Sequence, residues 1–211
     1  MTNEWLPEDY KEPVTSNYMN FEEGTNFFRI LGKFSDGTAI MGLEYWKTLT
    51  VDGKPKRSPI RVPLGTVINS DEIEINPKTG QPDFPKFFWA LPVWNYSAMK
   101  VQILEIKQKT VRQAIETLAK NPKWGDLSTY DICVTRVEDS GKTTYTVTPD
   151  PKSELAPEIK KIYESMKINI QAMFNKDSNT PGGDPFAPVD EAEKLAEEAD
   201  KILNKKTKEE I

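Results

Sequence analysis

The chain has 211 residues, 37% of them apolar, and a formal net charge of −5, which fits one sizeable domain with appendages better than two domains. It has no histidine and a single cysteine, Cys133, and this excludes disulfides, histidine proton shuttles, Cys-His nucleophile pairs and nearly every zinc site. Charge is uneven along the chain: residues 1–25 carry −5, residues 177–211 another −5, and the body between them +5. That distribution suits a body that binds a polyanion and ends that compete for the same surface, or ends that only keep the protein soluble.

In chain order, residues 1–25 scatter Trp5, Tyr10, Tyr18 and Phe21 among prolines and acids without any period and read as an acidic arm, extended or loosely packed. Met1–Pro13 has no apolar core and does not read as a secretory signal. No apolar run approaches membrane-spanning length, so no membrane partner is expected. From Asn26 the pattern changes: Phe27–Leu31 is a strand, Ser35-Asp36-Gly37 a turn and Ala39–Thr50 a second strand, and the two pair most simply as a hairpin. Val51–Pro59 then reads as a turn followed by a basic cluster. Residues 60–86 hold Pro63, Pro77, Pro82 and Pro85 and read as a long loop that serves function or marks an insertion.

The segment Lys86–Lys120 organises the rest. Phe87–Tyr96 is β-branched and aromatic, and after Ser97–Lys100 the strand Val101–Lys107 returns antiparallel. Thr110 is the expected N-cap of a helix whose apolar residues Val111, Ala114, Ile115 and Leu118 recur at helical spacing, ending at Asn121-Pro122. After a loop at Trp124-Gly125-Asp126, Tyr130–Val137 and Thr143–Thr148 form a hairpin around Asp139-Ser140-Gly141. A helix over Leu155–Phe174, with Pro157 in its first turn, packs on the body. Residues 177–190 have linker composition, and residues 191–211 form a partly helical acidic tail on a thin apolar stripe.

The order strand, strand, loop, strand, strand, helix, strand, strand predicts a mainly β fold with helices, an antiparallel Greek-key barrel of the oligonucleotide-binding (OB) type over residues 26–150, with one inserted helix. The helix 151–176 and a flexible acidic tail follow it. A meander packed on a helix is the alternative. Phe28–Leu31, Glu44-Tyr45-Trp46, Lys54–Ser58, Phe88-Trp89-Ala90, Val93–Tyr96, Ile103–Ile106 and Thr144–Val147, taken as an ordered string of blocks, resemble phage-encoded single-stranded DNA-binding proteins of tailed bacterial viruses. The resemblance covers residues 26–150. It implies an OB fold, sequence-independent binding of single-stranded DNA during phage replication and recombination, no catalytic activity, and a location in the cytoplasm of the bacterial host cell. It also implies an acidic tail that recruits a phage or host polymerase, helicase or recombinase, here ending in Glu209-Glu210-Ile211, although Lys194, Lys201, Lys205, Lys206 and Lys208 depart from a purely acidic pattern.

The residues support that chemistry independently, because single strands are held by aromatic faces that stack on bases and by cations that follow phosphates, each stacked base contributing about 1–3 kcal/mol. The candidates are Tyr45, Trp46 and Lys47, then Lys54, Lys56, Arg57 and Arg61. Strand alternation puts Tyr45 and Trp46 on opposite faces, so one stacks and one is core, and Trp46 is preferred for stacking. The same parity sets Phe87, Trp89, Leu91 and Val93 on a core face and turns Trp94 and Tyr96 outward, to stack or to form a second layer under the C-terminal helix. Trp124 either stacks or caps the barrel end. Asp71, Glu72 and Glu74 read as a solvated loop and not a metal site, Cys133 as a buried inert thiol, and no cofactor is expected. The competing function is a non-enzymatic protein-interaction or assembly module that uses the same aromatic surface.

Overall fold

The computed structural model describes residues 16–51, 53–175 and 182–187. Its strands are β1 (Tyr18–Met19), β2 (Gly24–Ile30), β3 (Ile40–Val51), β4 (Lys54–Pro63), β5 (Lys86–Asn95), β6 (Lys100–Ile106), β7 (Asp131–Asp139) and β8 (Lys142–Pro149). Two helices, α1 (Lys109–Lys120) and α2 (Pro157–Ser165), complete it. The strands form one mixed sheet in the order β1-β6-β5-β2-β7-β8, with β3 and β4 branching from β5. The sheet does not close into a barrel: no ladder joins β6 to β8, and the outer edge of β6 takes β1 in parallel. No helix among the described residues is long and apolar enough to cross a membrane.

The strand β5 is the centre. One edge pairs with β6 over Trp89–Asn95, while the other is divided, Lys86–Ala90 pairing with β3 and Val93–Asn95 with β2. The expected hairpin of β2 with β3 is therefore absent. Both strands lie along the same edge of β5, and each gains a ladder there that a local turn would have denied to one of them. The β5–β6 and β7–β8 hairpins form where local pattern puts them; the second closes through Ser140 and Gly141, whose φ values of 50° and 77° are those of a primed two-residue turn.

Residues 54–63, read in part as loop, are a full-length partner of β3. The stretch holds three prolines, Pro55 and Pro59 in the basic cluster and Pro63 in the expected loop. They fall at alternate-parity positions whose missing N–H faces away from β3, the one place in a sheet where proline costs no ladder bond. At Arg61, on the same parity, the outward N–H and C=O are taken by Asn175, at 2.7 and 2.9 Å. The outer edge of β4 is thus closed to further pairing.

Two apolar layers sandwich β5, because this central strand is buried on both faces. On one side Phe28, Ile30, Trp89, Leu91, Val93, Leu104, Ile106 and Ile132 pack with Val111 and Ile115 of α1. The helix starts at Lys109 after an N-cap Gln108 that makes no side-chain cap bond, so Thr110 lies inside the first turn and not at the cap. On the other side Ile40, Phe88, Ala90 and Ile103 are covered by Ile170 and Met173. Trp94 is also buried, at 4% exposure, so of the two roles read for it stacking on a base is ruled out.

The expected helix 155–174 is shorter. It ends at Ser165, buries no residue, and gives way at Lys167, whose φ is +47°. The segment that packs is the short 3-10 turn Ile170–Met173, and residues 182–187 lie back along it: Gly183 N–H donates to the Ala172 carbonyl and Asn169 N–H to that of Pro185. Phe174 and Phe186 join this layer. Gly42 has to be glycine beneath it, since a Cβ there would sit 2.4 Å from the Val62 carbonyl oxygen and 2.8 Å from the Phe174 ring. The N-terminal arm is docked from Tyr18 onward, with Met19 buried and Phe21 against Phe28 and Tyr145.

Candidate nucleic-acid interface

Only Ile40–Glu44 of β3 pair with β5, so the remainder of β3, with its β4 partners, projects as a two-stranded arm. One face of the arm is a small core of Tyr45, Leu49 and Ile60, roofed by Val62 and Ile68. The Tyr45 hydroxyl donates to Glu72 at 3.0 Å; burial, and then the neighbouring carboxylate, push its pKa up to about 12. Past Glu44 the edge of β3 has no strand beside it. There Glu74 accepts both the N–H and the hydroxyl of Thr48 at 2.8 Å. Of the three acids expected to be solvated, Glu72 and Glu74 are thus staples that hold residues 64–85 on the arm, Asp71 is exposed, and residues 70–72 form a 3-10 turn.

The aromatic and cationic candidates separate by environment. Tyr45 is 3% exposed and Trp94 4%, so neither offers a face to a base, whereas Trp46 is half-buried on the face opposite Tyr45. Lys54 and Lys56 are exposed at the far end of the arm and make no ion pair among the described residues. Lys47 lies 3.8 Å from Glu72. Arg57 is bonded to Asp83 at 2.8 Å and to the Ile75 carbonyl. Arg61 lies 2.9 Å from both Glu44 and Glu105, with Lys107 2.7 Å from Glu44, and its guanidinium stands 5.7 Å above the Phe88 ring. Two acids and two bases make this cluster neutral, so Arg61 has no charge to spare for a phosphate.

Elsewhere, Tyr96 is half-buried and its hydroxyl donates to Asp131 at 2.9 Å; burial first, then that bond, raise its pKa to about 12. The same carboxylate receives Nε of Arg29, which is 1% exposed and also reaches the Ser128 and Ser153 carbonyls. Tyr96 is a member of a buried polar network. Trp124 is half-buried, edge-on to Tyr130 at 5.3 Å and packed against the main core; with no closed barrel it caps no barrel end. Glu209, Glu210 and Ile211 lie outside the described residues.

Sequence reasoning missed Phe84, which is 64% exposed, and its neighbour Lys86, whose side chain is 65% exposed. The signal was present: a lone phenylalanine in the polar, proline-flanked run Pro82-Asp83-Phe84-Pro85 has no strand or helix to explain it. No family model and no curated protein matches the chain.

Proposed function

We propose that this protein binds single-stranded DNA without sequence preference, through the arm formed by β3 and β4. The observation that carries the reading is the arm itself, which holds a half-buried Trp46 beyond the β5 ladder and presents Lys54 and Lys56 exposed, without an ion pair among the described residues. Aromatic faces with unpaired cations are what sequence-tolerant single-strand binding needs. An OB-type architecture is supported if β3 and β4 are counted as an insertion between β2 and β5: β7-β2-β5-β6 then has the spatial order 4-1-2-3 of a Greek key, with α1 lodged before the last hairpin. In OB folds the second and third strands offer a binding face; here Met173, Phe174 and Phe186 cover the corresponding face of β5 and β6, which favours the arm as the track. The resemblance to phage single-stranded DNA-binding proteins supports a role in phage replication and recombination, with the acidic tail competing with DNA and recruiting a replication protein.

Titrating the intact protein with a single-stranded oligonucleotide at two salt concentrations, with duplex as control, tests this. Tryptophan quenching by the single strand alone, weakened by salt, is expected. No affinity at low salt refutes it. A protein-interaction module is the second reading, favoured by Leu64, Val67, Ile75 and Phe84, all more than half exposed on the segment between β4 and β5. Contacts of that kind survive high salt.

A further inference from the structure

We infer that Phe84 is a second base-stacking residue, completing with Trp46 a two-ring platform at the root of the arm. This inference rests on the single-stranded DNA reading of that arm. The last register pair of β3 with β5 is Glu44 with Lys86, and two residues further along each chain stand Trp46 and Phe84. Trp46 and Phe84 thus hold corresponding positions, each two residues past the last pair of the ladder, one on each strand where the two part. The backbone that leads into Phe84 is held against residues 74–76. Ile75 and Pro82 form a bridge, Asn76 N–H donates to the Gln81 carbonyl at 2.9 Å, and Asp83 N–H donates to that of Glu74 at 2.9 Å. Pro85 further restricts Phe84 to extended conformations.

A lone exposed apolar residue is ordinary on a protein surface. Phe84 differs in having a fixed stem, a ring left 64% in water, and cations paired to the residue before it. On the residue before it, Asp83, 9% exposed, receives Arg57 at 2.8 Å and lies 3.7 Å from Lys86, so two cations flank one carboxylate within two residues of Phe84 along the chain or paired to its neighbour. That surplus suits a phosphate between two stacked bases. A fixed, exposed ring with cations on neighbouring residues suits the common chemistry of any single strand, a π face followed by an anion.

The experiment compares the full chain with Phe84→Ala, Phe84→Leu and Phe84→Trp, binding an oligothymidine longer than the roughly 16 nucleotides that one OB domain covers. Because the side chain is exposed, all three are expected to unfold in urea as the parent does. Alanine and leucine should each weaken binding about fivefold or more, with an unchanged salt slope because no charge is lost. Tryptophan should retain affinity and add a quenched, solvent-exposed fluorophore. If leucine binds as the parent does, the contact is not stacking and the inference fails; if all variants match the parent and the new tryptophan stays unquenched, Phe84 is off the track. A parent that shows no affinity refutes the single-stranded DNA reading itself. Recovery of Phe84-dependent binding to a protein at high salt would assign the ring to an interface instead.

Discussion

The guanidinium of Arg61 bonds Glu44 at 2.9 Å directly across the β3–β4 ladder, and Glu44 is almost wholly buried, its side chain 4% exposed. The pair makes Arg61 a structural residue although it lies in a basic run. Arg61→Ala should cost about 2 kcal/mol of stability, less than the roughly 3–5 kcal/mol of a fully orphaned buried charge, because Lys107 still faces Glu44. The salt slope of DNA binding should stay as in the parent. A flattened slope with unchanged urea stability would reverse that assignment.

Lys54 and Lys56 are expected to behave oppositely. The double variant Lys54→Ala, Lys56→Ala removes two exposed charges that have no ion-pair partner among the described residues and should unfold like the parent. Its dependence of log affinity on log salt should flatten by roughly 0.7 per lost phosphate contact on a single strand. An unaltered slope would move the phosphate track off the tip of the arm.

Tyr45 supplies a pH test. Its pKa in the folded protein is about 12, against 10 for an ordinary tyrosine, so the folded state holds the phenolic proton more tightly than the unfolded one. That contribution is complete below pH 10 and is lost as pH rises through 12. Tyr45→Phe should lose about 1 kcal/mol at neutral pH with its bond to Glu72, and should then lose less stability than the parent between pH 8 and pH 11 in urea titrations. Parallel losses over that interval would argue that the hydroxyl is not buried.

Two truncations separate the tail from the layer it follows. Ending the chain after Ala187 removes a net charge of −3 while leaving Pro185 and Phe186 docked; binding to single strands at low salt should tighten severalfold, and the gain should vanish at high salt. Ending it after Pro181 also uncovers the surface around Met173 and should cost about 1–3 kcal/mol of stability. Equal affinity of the first truncation and the parent would dismiss competition by the tail.

The sequence by itself determined the elements whose information is local. The β5–β6 hairpin, α1 and the β7–β8 hairpin come from short-range alternation, helical spacing and a primed turn, and each forms within a residue or two of its expected limits. The preference for Trp46 over Tyr45 as the accessible aromatic was also legible, since adjacent strand residues point to opposite faces. What only the tertiary structure decided is what lies across from each residue. Edge position turned the prolines of β4 from breakers into guards, and β5 drew β2 and β3 to one edge in place of a hairpin. A second layer from the C-terminal segment buried Trp94's face, and distant carboxylates, Asp83 for Arg57 and Glu44 with Glu105 for Arg61, neutralised arginines that look free in one dimension. Periodicity records which face of an element is apolar, whereas burial and charge pairing depend on partners dozens of residues away. The same long-range pairing leaves Phe84 bare at the root of the arm.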